Sequence, residues 1–200
     1  MRLTVARPIR RVVKLGGSLF TLPDLSERLT AWLDQQPDRQ TALICGGGPL
    51  IDVMRQWDDR FGLESARMHW RCVELLRHSF DVLTELLPQY AAVRDETEFE
   101  RWIENEPTAS TTLLQVDAFY RSEGPGIELA ENWDTTTDAI AVHLADRMDA
   151  EELVLLKSCD SASTIDWREA AKLEIVDAQF PSVVGADLEL TLVNLRQWKW

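Results

Sequence analysis

The chain has 200 residues, of which 45% are hydrophobic, and a formal net charge of −13. This length suits one α/β domain with an ordinary apolar core, so disulfide or metal staples are not needed. The excess of acidic residues excludes a broad nucleic-acid surface, which requires clustered lysine and arginine. An anion site in such a chain must be made positive locally, by a few cations and by helix N-termini.

The cysteine pattern and the hydropathy indicate a cytoplasmic protein. Cys45, Cys72 and Cys159 are odd in number and far apart, as reduced thiols are, and they have no zinc or iron–sulfur spacing. No run approaches the roughly 18 apolar residues of a membrane span, and the basic N-terminus is not followed by the apolar stretch of a signal peptide. We therefore expect no membrane partner, no nucleic-acid partner and no metal site built from protein side chains.

Strand and helix patterns alternate along the first half of the chain. Short apolar runs indicate strands, and apolar positions that recur at helical spacing indicate helices. In chain order the pattern predicts a strand over 11–15, a helix over 23–35, a strand over 41–45, a helix over 49–60, a long helix over 64–87, a strand over 91–94 and a helix over 96–105.

The second half continues in the same way. It predicts a strand over 111–116, a loop over 122–126, a helix over 136–147, a strand over 153–156, a short helix over 167–173 and a last strand over 188–195. Strands that alternate with helices imply a mostly parallel sheet with helices on both faces. We therefore expect an α/β fold, a three-layer αβα sandwich with a mostly parallel central sheet, in a single domain over residues 1–200.

Two glycine clusters follow two of the predicted strands. Lys14-Leu15-Gly16-Gly17-Ser18 comes directly after Val12-Val13, and Gly46-Gly47-Gly48 comes directly after the apolar run 42–45. Glycine lets bare backbone N–H groups approach a ligand, and a helix pattern begins after each cluster. Either cluster alone is also consistent with an ordinary tight turn. Two such strand ends side by side predict a shared anion site.

Two further polar motifs are predicted at the same edge of the sheet. Lys157-Ser158 follows the strand 153–156, and Asp138 lies in the first turn of a helix that starts near Thr136 and Thr137. Ligands of parallel α/β sheets bind at the carboxyl ends of the strands. Alone, Asp138 is more typical of an acidic residue that simply favours a first helical turn. The four motifs together favour one functional crevice.

Several common signatures are absent. The sequence has no GxxxxGK[ST] loop, no GxGxxG followed by an acidic residue at the next strand end, and no protein-kinase or α/β-hydrolase motif. His69, His78 and His143 lack the spacing of metal ligands, so we interpret them as structural.

In combination, the motifs resemble the amino acid kinase family, which includes aspartate, acetylglutamate, uridylate and isopentenyl phosphate kinases. The resemblance rests on the segments 13–18, 46–49, 137–141 and 155–158, and it runs over nearly the whole chain. Within the family, the chain most resembles the small branch that phosphorylates an aminomethylfuran-methyl phosphate in methanofuran biosynthesis. This resemblance rests on the short length, Trp133-Asp134, the strand end Leu155-Leu156-Lys157-Ser158 and His69-Trp70.

The family resemblance implies ATP-dependent phosphoryl transfer, with Mg²⁺, to a small acceptor that is already an anion. A carboxylate or phosphate acceptor needs no general base. The chemical difficulty is instead to bring two negatively charged groups together, and lysines, glycine N–H groups and magnesium reduce that repulsion.

The resemblance also implies a role for each motif. The catalytic residues would be Lys14, Asp138 and Lys157, with Asp138 holding the lysines rather than moving a proton. Nucleotide phosphates would bind Lys14, Gly16, Gly17, Ser18, Lys157 and Ser158, and the acceptor would bind Gly46, Gly47, Gly48, Thr136 and Thr137. Residues 1–130 would form an acceptor half and residues 131–200 a shortened nucleotide half.

The chain also departs from the family pattern. Many members follow the late strand with an Asp-Gly pair, where this chain has Cys159-Asp160-Ser161. Reduced adenine contacts, a different nucleotide and loss of catalysis are alternatives, so a nucleotide-binding or oxyanion-storage protein of the same fold stays open beside the kinase. The sequence does not specify the acceptor. Family members dimerise through the acceptor half, so we expect a homodimer or higher homo-oligomer, with the helix 64–87 as the predicted interface.

Overall fold

A six-stranded sheet forms the centre of the protein in a computed structural model that describes residues 9–160 and 166–199. The strands are β1 (Arg10–Leu15), β2 (Gln40–Cys45), β3 (Ala91–Val93), β4 (Ser110–Leu114), β5 (Glu152–Lys157) and β6 (Glu189–Asn194). The helices are α1 (Leu25–Asp34), α2 (Pro49–Phe61), α3 (Ser65–Leu86), α4 (Glu96–Glu104), α5 (Thr137–Arg147), α6 (Trp167–Lys172) and α7 (Phe180–Val183). Ser161, part of the Cys159-Asp160-Ser161 motif, lies outside the described residues.

Strand order brings the polar strand ends together. The order is β3-β4-β2-β1-β5-β6, and each neighbouring pair is parallel. The predicted αβα architecture with a parallel sheet is therefore confirmed. Because β1 lies between β2 and β5, the carboxyl ends that carry Lys14, the Gly46 cluster and Lys157 are adjacent.

The alternation of side chains along the strands builds two apolar layers. Val12 of β1 packs in one layer with α5, whereas Val13 and Leu15 pack in the other with α1. Successive side chains of a strand point to opposite faces of the sheet, so Lys14 shares the face of Val12. On β5, Lys157 shares the face of Leu153 and Leu155 by the same alternation. Both lysines therefore face the layer that contains α5.

The element boundaries agree with the sequence pattern except at a few turns. The predicted strand 111–116 ends at Leu114, because Val116–Ala118 forms a 3₁₀ turn closed by backbone hydrogen bonds back to residues 115 and 116. A second 3₁₀ helix, Gly17–Thr21, and the short α7 were not predicted. None of the described helices combines the length and apolar character needed to cross a bilayer.

Candidate active site

The two glycine loops touch each other directly through their backbones. A Cβ atom on Gly17 would lie 2.1 Å from the backbone N of Gly48, and a Cβ on Gly48 would lie 2.3 Å from the carbonyl O of Gly17. Gly48 also has a φ of 53°, in the left-handed region that side chains disfavour. Gly16 also lies close to the neighbouring strand β5, since a Cβ there would lie 2.9 Å from the carbonyl O of Leu156. Only glycine permits this approach of three strand ends.

One buried carboxylate joins two lysines at the centre of the crevice. Asp138 Oδ1 forms an ion pair with Lys14 Nζ at 2.8 Å, and Asp138 Oδ2 accepts a hydrogen bond from Lys157 Nζ at 2.6 Å. Asp138 is 3% exposed and Lys14 is 4% exposed. Three predicted residues from β1, α5 and β5 thus form one charged cluster with two cations and one anion.

The pKa values in the cluster follow from burial and from the mutual charges. Burial alone raises the pKa of Asp138, but the charges of Lys14 and Lys157 outweigh it, so the carboxyl pKa is below its ordinary value. Burial lowers the pKa of Lys157, the charge of Lys14 lowers it further, and Asp138 opposes both effects. Asp138 is therefore ionised at neutral pH, with both oxygens engaged, which suits a residue that holds the lysines rather than one that accepts a proton.

A second buried carboxylate fastens the start of α5. Asp177 Oδ2 accepts hydrogen bonds from the backbone N and the hydroxyl of Thr136, both at 2.8 Å, and from the backbone N of Ala139 at 2.9 Å. Its other oxygen accepts from the backbone N of Phe180 at 2.8 Å. Burial, then the charge of Asp138, raises the pKa of Asp177, although these hydrogen bonds oppose the shift. Asp177 ties α5 to α7 and so fixes the turn that carries Asp138.

The two serines predicted at the phosphate end lie together. Ser18 and Ser158 share a hydrogen bond of 2.8 Å between their hydroxyl oxygens. The bond joins the loop after β1 to the loop after β5, and both hydroxyls can also bond a ligand because each oxygen keeps acceptor capacity.

A cavity of about 370 Å³ opens beside the second glycine cluster. This is a common volume for a small-molecule site. Its polar lining includes the loop Gly46–Gly48 with Ser18, Asp52, Asn132, Thr135 and Thr137, and its apolar and aromatic lining includes Ile51, Val73, Leu76, Trp133 and Ile140. Thr137 lies at the glycine end, since a Cβ on Gly46 would meet the Thr137 hydroxyl oxygen at 3.0 Å. The lining of the cavity thus combines hydrogen-bonding groups with apolar side chains.

Two aromatic residues of the cavity lining, His69 and Trp133, are held by contacts with residues outside the cavity. Buried His69 shares a hydrogen bond of 2.9 Å between its Nε2 and the Tyr120 hydroxyl, and burial lowers the pKa of this histidine. Trp133, at the mouth, donates its indole N–H to Asp58 at 2.5 Å, and the guanidinium of Arg55 lies 4.4 Å from its ring centroid. Among the described residues that line the cavity, no side chain is lysine or arginine.

The structure brings the predicted site residues to one edge of the sheet. The cluster Lys14–Asp138–Lys157, the serine pair and both glycine loops are contiguous, whereas Thr136 has its hydroxyl bonded to Asp177 and does not present it freely to the cavity. Their roles in binding stay predictions. The sequence pattern did not single out Asp177 or Thr135, because no spacing rule links them to the motifs that they adjoin.

Comparison with solved structures places the fold among small-molecule kinases. The uridylate kinase of Archaeoglobus fulgidus superposes with a TM-score of 0.59 at 16% sequence identity, over 90% of this chain and 88% of that chain. The UMP kinase of Ureaplasma parvum gives 0.62 at 13% identity, over 94% and 90%. The aspartate kinase of Synechocystis gives 0.58 at 13% identity, over 86% of this chain and 36% of that chain. At these identities the likeness establishes the fold alone.

Sequence comparison identifies the family more directly. No curated protein matches the sequence. The model of the amino acid kinase family matches residues 10–178, a span that includes both glycine loops, Asp138, Lys157 and Asp177. With the matching parallel sheet, this extent of agreement establishes that the chain belongs to the amino acid kinase family.

Proposed function

We propose that this protein is a phosphotransferase that moves the γ-phosphoryl group of ATP to a small anionic acceptor. The observation that carries the proposal is the buried Lys14–Asp138–Lys157 cluster at the meeting point of two glycine loops. Fixed positive charge and bare N–H groups are what stabilise the spread of negative charge over a transferring phosphoryl group.

The donor side of the cleft is formed by the loops after β1 and β5. Gly16 and Gly17 allow backbone to approach the nucleotide phosphates, and the hydroxyls of Ser18 and Ser158 lie 2.8 Å apart at the same edge. Lys157 supplies a cation on this side, and its ammonium is held by Asp138. Mg²⁺ would be held by phosphate oxygens and water, and it would supply further positive charge to the phosphates when bound. In this proposal residues 131–200 form the nucleotide half.

The acceptor side is the cavity beside Gly46, Gly47 and Gly48. These residues precede α2, whose N-terminal dipole favours an anion, although its first residue is Pro49 and the next amides bond the carbonyl groups of Gly47 and Gly48. The anionic group of the acceptor would lie at this end with Thr137 nearby, and the body of the acceptor would lie between Trp133 and the apolar wall. Residues 1–130 supply most of this acceptor half.

The proposed transfer needs no proton acceptor. An anionic oxygen of the acceptor attacks the γ-phosphorus, the bond from phosphorus to the bridging oxygen breaks, and ADP leaves with the electron pair. Lys14 would stabilise the charge on the transferring group, since its ammonium lies at the junction of the two loops. Removal of one such electrostatic partner typically reduces the rate about 100-fold.

For the acceptor itself we propose an aminomethylfuran-methyl phosphate used in one-carbon cofactor biosynthesis. The proposal rests on the resemblance carried by His69-Trp70 and Trp133-Asp134, and the lining of the cavity supports it. In this proposal the furan ring would pack on the aromatic and apolar part of the lining, which includes Trp133 and Ile140, and the phosphate would lie at the loop Gly46–Gly48. We further propose that the protein acts in the cytoplasm.

The test is phosphoryl transfer by purified protein with ATP and Mg²⁺ against a panel of carboxylate and phosphate acceptors, the furan phosphate included. We expect ADP release only with the correct acceptor, and about 100-fold less in Lys14→Ala. Lys172→Ala is the matched control, because this lysine side chain is 70% exposed and pairs with Glu169 at the surface. Full activity in Lys14→Ala would refute the mechanism.

The same experiment separates the kinase from the alternative of a non-catalytic nucleotide or oxyanion binding protein. The observation that favours this alternative is that Cys159-Asp160 stands where many family members have Asp-Gly. Calorimetric binding of ATP or an oxyanion, without transfer to any acceptor of the panel, would support storage over catalysis.

A further inference from the structure

A second cavity, of about 500 Å³, is formed by α3, α5 and the segment 120–131. This volume is common for a small-molecule site. Trp70 of α3 and His143 of α5 contribute to its lining, and none of its described lining residues also lines the acceptor cavity. The proposed phosphoryl transfer gives this cavity no role, so the chemistry of its lining needs a separate explanation.

His143 brings an unpaired hydrogen-bond acceptor to this lining. The residue is 3% exposed, and its Nε2 has no hydrogen-bond partner in the described part of the chain. Its Nδ1 lies 2.9 Å from the carbonyl O of Ile127, and since a carbonyl accepts, Nδ1 carries the proton. Burial lowers the pKa of His143, although the backbone of Ile127 and of Phe119 opposes this shift. The ring is therefore neutral, and Nε2 is a bare acceptor.

Trp70 brings an unpaired donor to the same lining. Its indole Nε1 is buried and has no acceptor among the described residues. The Trp70 ring stacks on Tyr120 with 5.0 Å between centroids, and Tyr120 contacts the His143 ring edge-to-face at 5.2 Å. The donor and the acceptor thus belong to one contiguous aromatic group. Buried polar atoms are nearly always paired, so a ligand that both accepts and donates would complete this group.

The lining also carries negative charge that no cation neutralises. Glu128 and Glu131 both contribute to it, whereas Arg121 is engaged at both terminal nitrogens by Glu96. The Glu131 carboxylate has no hydrogen bond or ion pair within the described residues. Its charge reaches the aromatic group, because it adds to the effect of burial in raising the pKa of Tyr120. The described residues contain no cluster of three side chains that could hold a metal ion, so the charge fits an organic cation.

We propose that the second cavity binds a small amine that also carries an acceptor oxygen, such as an amino alcohol or an amino acid amide. Its ammonium group donates hydrogen bonds to the Glu131 carboxylate and to Nε2 of His143. The neighbouring rings of Trp70 and Tyr120 attract the same cation. The oxygen of the ligand accepts the indole N–H of Trp70. These contacts pair both buried atoms and neutralise one carboxylate, which neither an anion nor an uncharged diol achieves.

The second cavity adjoins the acceptor cavity through shared structural elements. His69 lines the acceptor cavity, and it shares a hydrogen bond of 2.9 Å with the hydroxyl of Tyr120, which lines the second cavity. Glu131 lines the second cavity, and the next two residues of the chain, Asn132 and Trp133, line the acceptor cavity. An amine bound to Glu131 therefore restrains a segment that forms part of both linings.

The binding test uses ethanolamine and glycinamide as probes, with ethylene glycol and acetate as uncharged and anionic comparisons of similar size. Saturation-transfer NMR with the full chain detects binding at probe concentrations up to roughly 10 mM. We expect at least one of the two amines to bind and neither comparison compound to bind. Absence of binding by both amines, or equal binding of ethylene glycol, overturns the proposal.

Variants of the full chain locate the bound amine. Glu131→Gln and His143→Phe should each weaken its binding about 10-fold or more, with far-UV circular dichroism as the check on folding. Glu131 is half-buried and glutamine has the same shape, so this variant decides the question even where His143→Phe does not fold. Glu123→Gln is the matched control, because Glu123 is exposed in the same segment and lies outside the lining.

Asp52→Asn distinguishes the two cavities, because Asp52 is an acidic residue in the lining of the acceptor cavity. Amine binding should be unchanged in this variant. Undiminished binding in Glu131→Gln, or loss of binding in Asp52→Asn, rules out the second cavity as the amine site.

The effect of the amine on the acceptor rests on the proposed function. Because the amine restrains the segment 131–133, it should lower the acceptor KM about fivefold in the transfer assay, and this effect should disappear in Glu131→Gln. An acceptor KM that the bound amine leaves unchanged would overturn this coupling. Absence of transfer to every acceptor would instead refute the proposed function, while the binding measurements continue to test the amine site.

Discussion

Asp177 and Thr136 are joined by two hydrogen bonds to a single carboxylate oxygen, one from the backbone N and one from the hydroxyl, both 2.8 Å long. Thr136 is the residue before the first turn of α5, and Asp138 follows two residues later. The position of Asp138 between its two lysines therefore depends on a residue that lies about forty positions further along the chain. We regard Asp177 as a positioning residue for the charged cluster.

Asp177→Asn should lower kcat more than it changes KM. The amide replaces one acceptor oxygen by a donor that opposes the N–H groups around it, which frees the turn before Asp138 and costs about 1–3 kcal/mol of stability. Steady-state kinetics and denaturant unfolding measure the two effects. Asp187→Asn, at an exposed position in the same half, should leave both unchanged. An unchanged kcat in Asp177→Asn would contradict the positioning role.

Asp138→Asn should lower both activity and stability. Removal of the carboxylate charge leaves the buried Lys14 and the largely buried Lys157 without a compensating anion. Loss of one partner from a buried ion pair typically lowers the free energy of unfolding by ~3–5 kcal/mol. Chemical unfolding measures the stability, and phosphoryl transfer measures the rate. Adding Lys157→Met to Asp138→Asn should recover part of the stability but none of the activity. A double variant no more stable than the single one would show that lysine repulsion is not the cause.

Activity should decline as the pH is raised, and the decline should begin at a lower pH than the one at which an ordinary lysine titrates. Burial, then the charge of Lys14, brings the pKa of Lys157 below its usual value of about 10.4. Lys157 must be charged to attract phosphates, so kcat/KM falls as the pH rises through this lowered pKa. The effect on the free energy of unfolding has the opposite direction. Because the pKa of Lys157 is lower in the folded than in the unfolded chain, its contribution to stability is complete above the unfolded pKa and is lost as the pH falls through the folded pKa.

A pH profile of kcat/KM with Lys157→Arg checks this assignment. A guanidinium stays protonated over the whole range, so the alkaline decline should move to higher pH or disappear. A decline at the same pH in the wild type and in Lys157→Arg would assign the titration to a different group.

Gly48→Ala and Gly62→Ala form a matched pair that isolates the contact between the loops. The two glycines have nearly equal left-handed φ values, 53° and 56°, but a Cβ on Gly48 would collide with Gly17, while nothing lies within 4 Å of a Cβ on Gly62. Gly62→Ala should lower the free energy of unfolding by about 1 kcal/mol, which is the strain of an alanine in the left-handed region. Gly48→Ala should lower the free energy of unfolding by clearly more than this and should abolish phosphoryl transfer. Equal losses of stability in both variants would show that the loops have room to separate.

Much of this architecture could be predicted from local patterns. Apolar runs and glycine ends are properties of a few adjacent residues, so β1, β2 and β5 and the helices after them were predicted to within a few residues. The meeting of Lys14, Asp138 and Lys157 was implied by family resemblance and by the rule for strand ends, and the structure brings them within 2.8 Å. Asp177 was missed because its hydrogen bonds are to backbone groups distant in sequence, which no residue pattern encodes.

The backbone contact between Gly17 and Gly48 joins the loop proposed to bind the donor to the loop proposed to bind the acceptor. With no side chain between them and no free space, one loop cannot shift toward its ligand without moving the other. Under the proposed function, this contact fixes the distance between the donor loop and the acceptor loop when the chain folds.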